Sequence, residues 1–127
     1  MLVVILAIAG ALVLMQSKPS AVAYPAEITV TQAADKRDQG AFILDVRQPG
    51  EWTQFHIPGA TLIPLGELPN RLNEVPKDRE VVVVCRSGNR SAQGRDILRA
   101  AGFTQVTSMA GGMTAWQAQN LPVAAGQ

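Results

Sequence analysis

The chain's 127 residues are 47% hydrophobic, enough apolar material for one modest domain and too much for a disordered chain. Eleven Lys and Arg against ten Asp and Glu leave a net charge of +1, so there is no basic field to draw a phosphate backbone, and no nucleic-acid partner is expected. A single cysteine and a single histidine exclude an internal disulfide and a Cys/His zinc cluster; neither a metal nor a cofactor is expected.

Met1 to Met15 is apolar apart from Gly10 and carries no charged side chain. As a helix it would reach only about 22 Å, short of a hydrocarbon core of about 30 Å. The polar stretch after it ends in Ala21-Val22-Ala23, the small-x-small form of a cleavage site. Residues 1–23 therefore read as a signal peptide or membrane anchor, and the domain over 24–127 as exported (periplasmic or extracytoplasmic) or membrane-anchored. Lys18 lies on the wrong flank for that orientation, which keeps open a tether that leaves the domain facing the cytoplasm. Membrane contact is expected only through residues 1–15, if they are not cleaved.

From Tyr24 onward ten positive charges balance ten negative ones, and short apolar runs alternate with segments of helical period. Ile28-Thr29-Val30 predicts a strand, Thr31 an N-cap, and Gln32 onward a polar helix closed at Gly40. Phe42-Ile43-Leu44 predicts the next strand, Glu51 to Phe55 one helical turn, Thr61-Leu62-Ile63 a third strand, and Glu67 to Asn73 a short helix closed by Pro76. Val81 to Val84 is β-branched throughout and apolar on both faces, as a central parallel strand covered on both sides requires. Ser91 to Ala101 follows as a helix stopped by Gly102, then Gln105 to Met109 as the last strand and Met113 to Gln117 as a closing helix. The sum is an α/β domain with a mainly parallel central sheet flanked by helices, preceded by the hydrophobic segment.

Ligands of such folds bind beyond the carboxyl ends of the strands, and there stands the only cysteine. Cys85-Arg86-Ser87-Gly88-Asn89-Arg90-Ser91 joins the valine strand to a helix. Gly88 and Asn89 tolerate positive φ, so the backbone can curl its N–H groups inward into an anion-binding nest. Ser91 can cap the helix, whose positive dipole end then faces the loop, and Arg86 and Arg90 add two permanent cations. Thiol pKa values fall from about 8.5 to roughly 3.5–7.5 in such surroundings, which gives a nucleophilic thiolate. A lone cysteine after four valines is more often an inert core side chain, but such a residue has no use for the six that follow it here.

Leu44-Asp45-Val46-Arg47 with Glu51, His56-Ile57-Pro58-Gly59-Ala60, the loop from Cys85 to Ser91, and Gly111-Gly112 with Trp116 together resemble the signatures of the single-domain rhodaneses, a family of sulfurtransferases. The resemblance covers nearly all of 26–121 and departs from the family pattern at Phe55, where a glycine is frequent. It implies a rhodanese-like three-layer domain. It also implies that Cys85 takes a sulfane sulfur from a small anionic donor such as thiosulfate, holds it as a persulfide, and passes it to cyanide or a thiol acceptor. Related phosphatases place five residues between cysteine and arginine, whereas Cys85 and Arg90 are separated by four, a cradle better suited to sulfur than to phosphate. Arg86 and Arg90 are then expected to bind the donor anion, and the backbone amides of Ser87, Gly88, Asn89 and Arg90 to hold the persulfide.

Asp45, Arg47 and Glu51 could line the site, but so close a set is more often a structural ion-pair network. His56 reads as hydrogen-bonded scaffolding, Trp52 and Trp116 as packing or as walls of the pocket, and Gly111-Gly112 as absent side chains that leave room for substrate. A monomer is expected. Two functions remain open on the sequence: an enzyme that turns over thiosulfate, or a persulfide carrier or sulfur-sensing module that acts with a partner protein. With one cysteine there is no resolving thiol in the chain, so release of the persulfide needs an external acceptor.

Overall fold

In the valine strand, Val81 and Val83 face one way and Val82 and Val84 the other, and all four are buried. A strand buried on both faces must lie inside a sheet with helices on each side, and the computed structural model, which describes residues 24–127, has that architecture. The expected signal or anchor segment lies outside the described residues. Elements in chain order are β1 (Glu27–Ile28), α1 (Val30–Asp38), β2 (Phe42–Asp45), α2 (Pro49–Gln54), β3 (Thr61–Leu62), two 3-10 turns (Leu68–Asn70 and Leu72–Glu74), β4 (Val81–Val84), α3 (Asn89–Ala100), β5 (Val106–Met109) and α4 (Gly112–Ala118). The five strands run in the order β1-β5-β4-β2-β3 and every pairing is parallel.

Alternation along the strands divides the core into two layers. On one face Leu44, Val46, Val81, Val83 and Val106 pack with Leu68, Leu98 and Phe103; on the other Ile43, Val82, Val84 and Met109 pack with Ala33, Met113 and Trp116. Helix α3 approaches the sheet closely because Gly94 is buried against it: a methyl group there would sit 3.1 Å from Val83. The Trp116 indole N–H is not orphaned by burial, since it donates to the Pro122 carbonyl at 2.9 Å.

Several boundaries differ from the sequence expectation. Helix α1 is capped by Thr29, not Thr31: the Thr29 hydroxyl accepts the Gln32 N–H, and the Thr29 N–H donates to the Gln32 side-chain oxygen. This reciprocal capping box outcompetes continuation of the strand. The expected helix over Glu67 to Asn73 is instead the pair of 3-10 turns, with Pro69 inside the first.

Strand β5 carries two hydroxyls into the interior. Ser108 finds a partner, described below, but the fully buried Thr107 hydroxyl has none among the described residues. Because a buried hydroxyl without a partner loses its hydration for nothing, Thr107→Val should raise the unfolding free energy by about 1 kcal/mol. Urea denaturation would measure this, and a decrease would show that Thr107 is satisfied in solution.

Candidate active site

The carboxyl ends of β2, β4 and β5 meet at one edge of the sheet, and the segment Cys85 to Gly88 turns there from β4 into α3. Gly88 has φ +113° and is the N-cap of α3, a left-handed conformation that glycine adopts without strain. The turn brings the Gly88 N–H to 3.1 Å from the Cys85 sulfur. Cys85 itself is buried at the foot of the loop, whereas the side chains of Arg86, Ser87 and Asn89 are exposed.

Burial pushes the Cys85 thiol up, but hydrogen bonding from the Ser91 hydroxyl and from the N–H groups of Ser91, Gly88 and Ser87 outweighs it, so the net shift is downward. The loop therefore favours the thiolate. Ser91 is not the helix cap expected from the sequence. It is the third residue of α3, fully buried, with its Oγ 3.4 Å from the Cys85 sulfur and donating to the Gly88 carbonyl at 3.0 Å. Asn89 does not share the positive φ of Gly88; it is the first residue of the helix.

Helix α4 fixes the loop from behind. The Met113 N–H donates to the Cys85 carbonyl at 2.8 Å, and the N–H and hydroxyl of Thr114 both donate to the Arg86 carbonyl at 3.1 Å. Gly112 makes this possible: a Cβ there would stand 2.5 Å from the carbonyl oxygens of both Cys85 and Arg86. The room created at Gly112 is thus filled by the loop backbone, not by substrate as the sequence suggested.

Asp45 and Arg47 form a buried ion pair at 2.7 Å, and the same guanidinium donates to the Phe55 carbonyl at 2.8 Å. The pair ties the end of β2 to the end of α2. The Glu51 carboxylate does not complete that network, since Arg47 reaches only the Glu51 backbone carbonyl, at 3.5 Å. The carboxylate binds Arg90 through two bonds of 2.7 and 2.8 Å, so the guanidinium expected to hold a donor anion is already engaged. Arg86, in contrast, is exposed and enters no ion pair among the described residues. His56 is scaffolding: its ring stacks on Trp52 at 3.7 Å, Nδ1 donates to the Trp52 carbonyl at 2.9 Å, and its backbone exchanges two 2.8 Å bonds with Ala124. A pocket of about 390 Å³ opens beside the loop, lined by Arg86 together with Arg47, Glu51, Phe55, Met113 and Gln117 among others.

Residues 29–119 match the model of the rhodanese-like domain family. The chain belongs to the rhodanese-like sulfurtransferases. This rhodanese is 41% identical over 92 residues to a sulfurtransferase of Allochromatium vinosum, covering 72% of this chain and 84% of that one. It is 34% identical over 113 residues to thiosulfate sulfurtransferase 16 of Arabidopsis thaliana, a chloroplastic protein, covering 80% and 94%. Among solved structures it is similar to a rhodanese-related protein from Thermoplasma volcanium, with a TM-score of 0.73 at 27% identity, covering 79% and 98%.

Three features of the site escape the sequence. The Glu51–Arg90 pair joins positions 39 residues apart, with no periodicity to announce it. Thr114 stands two residues after the glycine pair, inside a helix start like many others. Ser108, whose hydroxyl donates to Ser91 Oγ at 2.8 Å, left only one sign in the sequence, a second hydroxyl residue in a strand that must be buried.

The Arg90 guanidinium lowers the Glu51 carboxyl from 4.5 to about 2, mainly through hydrogen bonding. A carboxyl whose folded pKa is depressed stabilises the fold above its unfolded pKa, and that contribution is lost as pH falls through the folded value. The Glu51–Arg90 latch should therefore weaken between about pH 4.5 and about pH 2. Glu51→Gln should lose less stability over that window than the parent protein, as read by denaturant unfolding at a series of pH values. Parallel curves would remove the pair from the acid response.

Proposed function

We propose that this rhodanese moves sulfane sulfur from thiosulfate, or a similar small anionic donor, to a thiol or cyanide through a persulfide on Cys85. The observation that carries the reading is the Cys85 sulfur held 3.1 Å from the Gly88 N–H, where β4 meets the N-terminus of α3. Inward N–H groups and a helix dipole favour an anion at that point. They serve the thiolate first and the persulfide anion after it.

In the first half-reaction the Cys85 thiolate attacks the outer sulfur of thiosulfate. The new S–S bond forms as the old one breaks, sulfite leaves with the electron pair of the broken bond, and the terminal sulfur of the resulting persulfide carries the remaining negative charge. In the second, cyanide or a thiolate attacks that terminal sulfur, and Cys85 departs as a thiolate. Neither step requires a general base once the thiol has ionised. The family relationship and the thiosulfate sulfurtransferase of Arabidopsis among the relatives support this choice of donor. Arg86 is the cation we assign to the donor anion, being exposed at the pocket. Arg90 acts instead by fastening α2 to the start of α3.

Exposure to thiosulfate should add the mass of one sulfur atom to the parent protein, with steady turnover once cyanide or a dithiol is supplied. Cys85→Ser should show neither change while remaining folded, because serine keeps the size but offers no thiolate at neutral pH. Sulfur transfer by that variant would overturn the mechanism, and loading without turnover would favour a persulfide carrier.

The two arginines should separate. Arg86→Ala removes a charge-assisted contact of about 1.5–3 kcal/mol and should raise KM for thiosulfate much more than for an uncharged organic trisulfide. Arg90→Ala should weaken both donors alike. If Arg86→Ala also affects both equally, its role is to shape the loop.

A further inference from the structure

We propose that Ser108, at the carboxyl end of β5, is a positioning residue for the Cys85 sulfur and acts through the hydroxyl of Ser91. The two serines and the cysteine form a buried chain. The Ser108 hydroxyl donates to Ser91 Oγ at 2.8 Å, and Ser91 Oγ lies 3.4 Å from the Cys85 sulfur. Both serines are fully buried, so neither hydroxyl has water as an alternative partner.

Proton counting gives the chain a direction. Ser91 has one proton and two acceptors within reach, the Gly88 carbonyl at 3.0 Å and the Cys85 sulfur. While Cys85 is a thiol, its S–H points to Ser91 Oγ and Ser91 donates to Gly88. When the thiol proton leaves to solvent, the Ser91 O–H can turn to the sulfur. The Gly88 carbonyl is not orphaned by this turn, since the Ala92 N–H already donates to it at 3.2 Å. Ser108 donates to Ser91 in both states. It holds Oγ in place and polarises the Ser91 O–H, strengthening its bond to an anion. Thr107, which precedes Ser108 on β5 and is equally buried, lacks any such partner among the described residues, so burial on this strand does not by itself supply one.

The charged groups around the loop are Arg90 from α3, Arg86 from the loop itself, Asp45 and Arg47 from the end of β2, and Glu51 from α2; β5 and α4 contribute none, and the exposed Glu27 of β1 stands opposite Ser108 in the sheet register. None of them bonds to Ser108, so truncating its hydroxyl leaves the charges and their ion pairs as they are. The inference rests on Cys85 being the reactive group, but its test uses no sulfur donor, so its failure is distinguishable from failure of the proposed transfer reaction.

The test is ultraviolet titration of the thiolate in the parent, Ser91→Ala, Ser108→Ala, the double variant and Thr107→Val. One cysteine makes the signal assignable. The single tyrosine, Tyr24, is pushed up by burial and by its hydrogen bond with Glu80, so it stays out of the window. The titration midpoint should move upward in Ser91→Ala and in Ser108→Ala and stay at the parent value in Thr107→Val. The double variant should titrate with Ser91→Ala, because Ser108 has no route to the sulfur except through Ser91. A parental midpoint in Ser108→Ala would overturn the proposal, as would a double variant displaced by the sum of the two single shifts.

Discussion

The site depends on a division of hydrogen bonds at one stretch of backbone. The first turn of α4 has N–H groups with no intrahelical partner, as every helix does, and it donates two of them to the carbonyls of Cys85 and Arg86. With its carbonyls claimed from behind, the loop presents N–H groups to the sulfur in front. The nest is therefore half of a reciprocal arrangement in which one helix start satisfies the backbone that another helix start has bent. Gly112 sets the distance, because any side chain at that position would separate the two backbones.

The rest of the domain holds those two helix starts at that spacing. Four valines place β4 in the middle of the sheet, and Gly94 brings α3 against it. Trp116 and Met113 pin α4 to the opposite face. At the mouth, the Asp45–Arg47 and Glu51–Arg90 pairs act on different joints, the first tying β2 to α2 and the second α2 to α3. A buried ion pair such as the first is weak evidence of stability, and its visible effect here is to join the two elements.

Much of this was legible in the sequence where a local physical rule had no competitor. The valine run admits one reading, and a Cys-Arg-Ser-Gly-Asn-Arg-Ser stretch after a strand is costly to explain without an anion. Local rules failed where two candidates for one task lay close together. Thr29 and Thr31 both suit a cap, and only the reach of Gln32 selects Thr29. Gly88 and Ser91 both suit the start of α3, and the left-handed turn at Gly88 starts the helix early enough to carry Ser91 into the interior. Contacts that depend on the folded arrangement alone, such as Glu51 with Arg90 or Ser108 with Ser91, leave no periodic trace to read.

The strand order has a consequence for how the protein is made. β1 pairs with β5, the first strand with the last, and the helix that claims the loop carbonyls is the final one. Pairings between distant parts of a chain form late, since their closure entropy must be met before the contact repays it. During synthesis Cys85 emerges well before β5 and α4, so until the last quarter of the domain has followed it, the residue lacks both Ser108 and the carbonyl contacts of α4. A chain that ends before β5 therefore lacks both sets of contacts, and the geometry around Cys85 is complete only when the last helix is in place.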